Sequence, residues 1–395
     1  MWRFGFFFHE MAFGLLSVFL PLYVIAIEGS LFDIGIMSAS ALFLAIPFSF
    51  FWGYMCDKTR RYKRFILLSF ATLTVILYLF TFTTSIELLI MLYAVMWIFH
   101  VAHESPKNVL IAELYSREEW EKAFASYEIF AKTGWLSGLV FGFIISTYGI
   151  EAKFTLLFCS ALNLVAFASS LVLVTDPPLI FERSLVKIEK TVDFTYRGIA
   201  LASKLLDGIR TNERLKRENL YAFCSGLVLF SLATSIVATP LPVFFSENLA
   251  LPVNFVFGIF VLSSAGGVAG YLLVLNKLNR QAEKTHISKI VLFRSILVFI
   301  LIAVILMPLY NIVLASLILP LMGFTHALFL IYTLSVSMEF IPEGKAGLFN
   351  ALVSIGGACG AFIGPFIAQT MGFIYVFLIT SIVFLLAYIA FKISR

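Results

Sequence analysis

"GYMCDKTRRYKR", residues 53–64, crowds Lys58, Arg60, Arg61, Lys63 and Arg64 around a lone acid, Asp57, between two long apolar runs. The chain as a whole is 13% charged and 61% hydrophobic, with 44 phenylalanines spread over its length. That balance leaves too little polar surface to clothe a soluble globule, so the stretch reads as a water-facing turn between two membrane spans. A bilayer core takes about 20 apolar residues per helix. Breaking the sequence at Gly, Pro, Asn and charge clusters gives about twelve such runs. They cover roughly 4–27, 34–55, 65–85, 88–111, 123–147, 152–174, 219–245, 253–275, 289–308, 311–338, 346–369 and 372–393. The first run carries Glu10 and ends without a small-residue cleavage site, so it is expected to stay as a helix. Cys56, Cys159, Cys224 and Cys359 show no CxxC spacing and are expected to be small core residues.

Basic residues give the expected orientation. They gather in the turn after the second run, in the middle segment 176–218, and after the eighth run at Lys277, Arg280, Lys284 and Lys289. The opposite connections hold only Lys153. The positive-inside rule then places both termini and the middle segment in the cytoplasm, in a multi-pass protein of the cell membrane. The net charge of +5 follows from that topology and implies no nucleic-acid partner. Leu201, Leu205 and Ile209 give the middle segment some apolar helical spacing, as in a linker with a membrane-surface helix.

Six runs, a polar segment and six runs suggest a duplication. Gly134, Gly138 and Gly142 in the fifth run recur as Gly356, Gly360 and Gly364 in the eleventh, a shift of 222, and Lys122 and Lys345 lie upstream of them. Glycine at every fourth position lets neighbouring helices approach closely. The turn at 53–64 resembles the signature loop of the major facilitator superfamily of transporters, in which Gly, Asp and basic residues recur at the spacing of Gly53, Asp57, Lys58 and Arg61. Arg60 stands where that pattern has its second glycine, and Tyr62 where it has a basic residue. The stretch "PKNVLIAELYSREEWEKAF", 106–124, resembles the family's exit from the fourth span. The fifth run is similar to the glycine motif of the family's drug/proton antiporters, with Leu139 in place of its proline and Phe143 in place of its final glycine.

The resemblance implies an all-α membrane protein of about twelve transmembrane helices in two pseudo-symmetric six-helix bundles, 1–175 and 219–395, joined by a cytoplasmic linker at 176–218. It also implies a secondary active transporter that moves a small molecule by alternating access. Independently of the name, Asp57 near a helix end can pair with Lys58, Arg61 or a facing terminus in one conformation and release it in another, which makes Gly53, Asp57, Lys58 and Arg61 the candidate gate. The plainer alternative is a positive-inside anchor.

"FHVAHESPKNVL", residues 99–110, puts His100, His103, Glu104 and Lys107 inside the fourth run. Charges there cost about 2.5–3.5 kcal/mol each at a helix centre on insertion scales, and usually mark function. Counting back along the hairpin sets Glu104 near the depth of Lys132 and Lys107 near that of Glu128, two opposite-sign pairs. The first run adds His9 and Glu10 at a comparable depth. In the resembled family the first, fourth and fifth spans line one wall of a central cavity, which would make this cluster a substrate and proton-coupling site. The other wall is less charged. His326 aligns with His100, and Tyr332, Phe349 and Asn350 add polar or stacking surface. A structural zipper between the fourth and fifth runs is the alternative.

No G-x-x-x-x-G-K-[ST] loop occurs, and "EGKAG" at 343–347 lacks its first glycine and its hydroxyl, which argues against ATP-driven transport. His9-Glu10 and His103-Glu104 resemble metalloprotease dyads but do not continue to a second histidine, so no metal, no cofactor and no enzyme activity are expected. The expected partners are a small-molecule substrate, protons and the bilayer, for a monomer. A polytopic intramembrane enzyme, or a transporter-like sensor or lipid-handling protein, remains the competing class.

Overall fold

The structure is a computed structural model that describes residues 2–114, 120–176, 220–277, 284–307, 310–340 and 346–394. Twelve helices among the described residues are long and apolar enough to cross a membrane. The reason for an all-helical solution is that a lipid-exposed N–H or C=O has no water to bond, and a helix satisfies both internally. Spans 1 to 3 are Phe4–Ala26, Leu31–Thr59 and Tyr62–Phe80, and span 4 comes in two pieces, Ile86–His100 and Glu104–Leu114. Spans 5 and 6 are Trp120–Thr147 and Ala152–Leu173. Span 7 runs over Leu220–Ala238, spans 8 to 10 over Val253–Lys277, Lys284–Leu306 and Asn311–Phe340, and spans 11 and 12 over Ala346–Thr370 and Phe373–Ile393. The middle segment expected to be a linker falls, beyond Asp176, outside the described residues.

Local sequence explains the breaks. Span 2 opens on a capping box in which the Asp33 N–H donates to Ser30 Oγ at 3.2 Å and the Ser30 N–H to Asp33 Oδ2 at 2.8 Å. Pro240 and Pro242 end the regular part of span 7, which finishes in a π turn over Phe244–Asn248. Pro47, Pro320 and Pro365 lie inside their helices, as membrane helices allow.

The two halves repeat one another in their contacts. A side chain at Gly134 or Gly138 would overlap the Phe7 or Met11 carbonyl of span 1, and one at Gly356 or Gly360 would overlap that of Val228 or Leu232 in span 7. Ser160 Oγ donates to the Thr74 carbonyl between spans 6 and 3, and Ser295 Oγ to the Ser381 carbonyl between spans 9 and 12, both at 2.8 Å. Gly5 faces Ser170 as Gly226 faces Phe391. These pairs are related by a shift of 221 residues, against 222 for the glycines of spans 5 and 11.

Between the halves, span 2 packs along span 11 and span 5 along span 8. Gly35 meets Pro365, Gly142 meets Phe257, and the Phe32 N–H donates to Gln369 Oε1 at 2.7 Å. These contacts all lie toward the connections 1–2, 5–6, 7–8 and 11–12. The molecule is therefore held shut at that end.

The turn at 53–64 explains its own motif. Arg60 caps span 2 in the left-handed region, φ 52°, and its N–H donates to the Cys56 carbonyl at 2.8 Å. This is the position where the resembled pattern carries glycine, because only glycine adopts the conformation without steric cost. The Lys63 N–H, in the first turn of span 3, donates to Asp176 Oδ1 at 2.8 Å, so the end of span 6 caps span 3 across the bundle. Arg60→Gly should unfold at the wild-type temperature or above it, whereas Arg60→Val should be less stable by about 1 kcal/mol. Thermal unfolding in detergent checks this contrast, and equal losses in both variants would rule out the strain.

Candidate functional site

The polar residues of span 4 sit at a discontinuity of the helix. A single 3₁₀ turn, Val101–His103, separates the two pieces, whereas the sequence suggested one continuous helix. In a 3₁₀ turn residues three apart eclipse one another, so His100 and His103 point to the same side. That side meets His9 of span 1. His9 and His103 are fully buried, and the three imidazoles offer ring nitrogens that all lie within 4.8 Å of one another. His9 Nε2 is 3.2 Å from His100 Nδ1, and the ring centroids of His103 lie 4.8 Å from His9 and 4.9 Å from His100. Phe6, Phe13, Phe70 and Trp97 wall the group with aromatic faces.

Two uncharged polar side chains hold the group. Asn163, in span 6, places Oδ1 2.8 Å from His9 Nδ1 while its Nδ2 donates to the Cys159 carbonyl at 3.1 Å. Ser69 Oγ, in span 3, is 3.2 Å from His103 Nδ1. Neither residue was singled out from the sequence. Asn163 carried a usable signal, as the only amide in a long apolar run.

The ion pairs differ from the depth argument. Glu104 binds Lys107 of its own helix, at the i,i+3 spacing, and its other oxygen is 3.3 Å from His103 Nε2. Lys107 also lies 5.1 Å from the centre of the Tyr127 ring of span 5. Lys132 has no carboxylate within 4 Å among the described residues and stands over the Trp135 ring at 5.0 Å. Glu128, half-buried, likewise has no described cation within 4 Å. Hairpin register fixes depth but not azimuth, and the helix's own Lys107 reaches Glu104 first.

Glu10 takes no part in the histidine group, although it follows His9 directly. It is one position round the helix and falls in the combined field of Lys132, Glu128, Lys107 and Glu104, with no described cation within 4 Å. Span 1 thus turns a histidine toward spans 3, 4 and 6 and a carboxylate toward the lysines and glutamates of spans 4 and 5.

Among the described residues, the carboxyl half does not complete this cluster. His326 stacks on Phe230, 6.1 Å between centroids, and its Nδ1 has no partner among the described residues. Beside it lies Arg294 of span 9, buried, with Nη1 donating to the Met322 carbonyl at 2.7 Å and the guanidinium 5.3 Å from both the Phe230 and Phe384 rings. Sequence reading passed over Arg294, although a lone charge inside an apolar run is itself a signal. Tyr332 is half-buried, and the side chains of Phe349 and Asn350 fall outside those described. Of the candidate gate, Gly53 faces Ser105, Lys58 lies 5.8 Å from the Tyr54 ring, Arg61 is exposed, and the Asp57 side chain falls outside those described.

A family model described as Major Facilitator Superfamily matches residues 4–357. The chain belongs to that superfamily. It is a membrane transporter and not an enzyme. Among solved structures, a point mutant of the nucleoside transporter NupG matches with a TM-score of 0.71 at 16% identity, covering 100% of this chain and 98% of that one. The human organic anion transporter MFSD10 (TETRAN) matches with a TM-score of 0.70 at 15% identity, covering 99% and 97%. At such identities these structures share the fold alone. A search of curated protein sequences gives no match.

The pairing can be tested by thermal unfolding of purified variants. Glu104→Gln alone should be less stable than the double variant Glu104→Gln/Lys107→Met, because removing one partner leaves a charge in a low-dielectric wall. Combining Glu104→Gln with Lys132→Met should give no such recovery. A recovery with Lys132 in place of Lys107 would reverse the assignment.

Proposed function

We propose that this superfamily member is a secondary active transporter that moves a small molecule by alternating access and draws on a proton gradient. The observation that carries the reading is Glu10, a carboxylate in span 1 set among two lysines and two glutamates without a direct ion-pair partner among the described residues. A carboxylate so placed can take and release a proton as its surroundings change from wet to closed. Glu104 with Lys107 then forms the fixed counter-charge, while Glu128 and Lys132 complete the wall. Closure of spans 2 on 11 and 5 on 8 at one end supports a state that opens toward the other end.

Gly53, Asp57, Lys58 and Arg61 are proposed as the gate at that other end, where the turn joins span 2 to span 3 and its partner strap from Asp176 reaches Lys63. The excess of basic residues on the same side supports a cytoplasmic location for it and for both termini, in a protein of the cell membrane. A membrane-impermeant thiol reagent applied from outside should fail to label a cysteine placed at Ser203; labelling before lysis would invert the topology.

Transport in proteoliposomes tests the coupling once a substrate is found by a thermal-shift screen over sugars, amino acids, nucleosides and organic anions. Wild-type protein should accumulate substrate only under a pH gradient, and Glu10→Gln should still exchange it at equilibrium but lose gradient-driven accumulation. Asp57→Asn should bind substrate normally and turn over more slowly. Full accumulation by Glu10→Gln at matched protein levels would move the coupling site elsewhere.

A further inference from the structure

The histidine group is not what the fold requires at its position. With the shift of 221 that relates the halves, His9 corresponds to Phe230 and Asn163 to Phe384, and those two rings pack at 5.3 Å between centroids. The carboxyl half thus puts two phenyl rings at the positions of His9 and Asn163, with the Arg294 guanidinium and His326 against them and no cluster of imidazoles among the described residues. Three imidazoles and an amide in the amino half need another explanation, since buried polar groups bring no packing advantage over such rings.

We propose that His9, His100 and His103 bind a transition-metal dication of the Zn²⁺ class, with Glu104 as the fourth ligand. The distances fit. A tetrahedral ion with nitrogen and oxygen ligands at about 2.0–2.1 Å has ligand-to-ligand edges of roughly 3.3 Å. His9 Nε2 to His100 Nδ1 is 3.2 Å, and His103 Nε2 to Glu104 Oε1 is 3.3 Å.

The protonation pattern fits as well. Asn163 Nδ2 is committed to the Cys159 carbonyl, so the atom facing His9 Nδ1 is the amide oxygen, and Nδ1–H donates to it. Neutral His9 then carries its lone pair on Nε2, the atom that faces His100. Outer hydrogen bonds of this kind orient metal-binding histidines. His103 has Ser69 against Nδ1, while its buried Nε2 makes no aligned hydrogen bond despite the nearby carboxylate. That nitrogen is buried beside Glu104 Oε1, at 3.3 Å, and makes no hydrogen bond that an ion would have to break. Imidazole donors suit Zn²⁺, Cu²⁺ and Ni²⁺, whereas Mg²⁺ and Ca²⁺ prefer oxygen. The local H-E-x-x-H pattern missed the site because its ligands come from two separate spans.

Glu104 is shared with Lys107, which makes the lysine a competing cation. A bound ion would tie span 1 to both pieces of span 4 at the 3₁₀ turn. The inference is independent of proton coupling, because binding is read on purified protein without transport. Failure of one therefore leaves the other standing.

The experiment uses the full chain in detergent, stripped with EDTA and titrated with Co²⁺. One equivalent should produce the intense visible d–d bands of a tetrahedral centre, and Zn²⁺ should abolish them by displacement. His9→Phe and His103→Phe should lose the bands, and Asn163→Leu should weaken affinity about 10–100-fold. Lys107→Met should bind more tightly. If a histidine variant does not fold, the Asn163→Leu and Lys107→Met titrations carry the test in opposite directions. Absence of a tetrahedral spectrum in folded wild-type protein overturns the site, as does an unchanged spectrum in a folded His9→Phe or His103→Phe, or unchanged affinity in both Asn163→Leu and Lys107→Met.

Discussion

Close approach of helix backbones at glycine is the constraint on which the rest of the structure depends. In lipid, the hydrophobic effect does not drive one helix onto another, and association rests on how much van der Waals contact the two surfaces can make. Gly134 and Gly138 let span 5 lie on the carbonyls of Phe7 and Met11, and Gly14 lets span 1 lie on the backbone of Trp135. The contact is reciprocal, and it runs past His9 and Glu10 on one helix and Lys132 on the other. A larger residue at any of these points would slide one helix along the other and change which charges face each other. The electrostatics of the wall are therefore fixed by uncharged residues.

The same contact recurs between spans 11 and 7, where Gly356 and Gly360 meet Val228 and Leu232. What surrounds it differs. Among the described residues, the amino half gathers Glu104 paired with Lys107, Glu10 and Glu128 with no cation within 4 Å, and three histidines, while the carboxyl half sets His326 and the Arg294 guanidinium against phenyl rings. Repetition of the scaffold with divergence of the filling separates two roles that a single bundle would confound. Residues equivalent in both halves, such as the serines joining spans 3 and 6 and spans 9 and 12, serve the bundle. Those found in one half only are free to serve ligands.

Much of this was legible in the sequence because lipid imposes long, uniform signals. Span number, the glycine repeat and the membership of Glu10, Glu104, Lys107, Glu128 and Lys132 in one region all follow from run length, period and hairpin depth. Azimuth does not. Whether Glu104 turns to Lys107 or to Lys132 depends on rotation of two helices about their axes, which an almost wholly apolar sequence scarcely encodes. Asn163, Ser69 and Arg294 were missed for a related reason: the partner of each lies on another helix, and nothing within its own run says which. The turn at 53–64 was read as a motif, yet the physical meaning of its departure at Arg60 appeared only with the backbone, as a left-handed cap occupied by a residue other than glycine.

The break in span 4 links these observations. A continuous α-helix would place His100 and His103 about 300° apart around the axis, which is close to one face but offset, and would carry Glu104 a further 100°. Tightening to a 3₁₀ turn brings the two histidines into register and starts a new helical piece at Glu104, so that His103 and Glu104, adjacent in sequence, reach a common point at 3.3 Å. Such a turn has poorer hydrogen-bond geometry than the helix it interrupts. Around it, Ser69 holds His103 of the turn, Asn163 holds His9 of span 1 against His100, and Lys107 holds Glu104 from within the second piece.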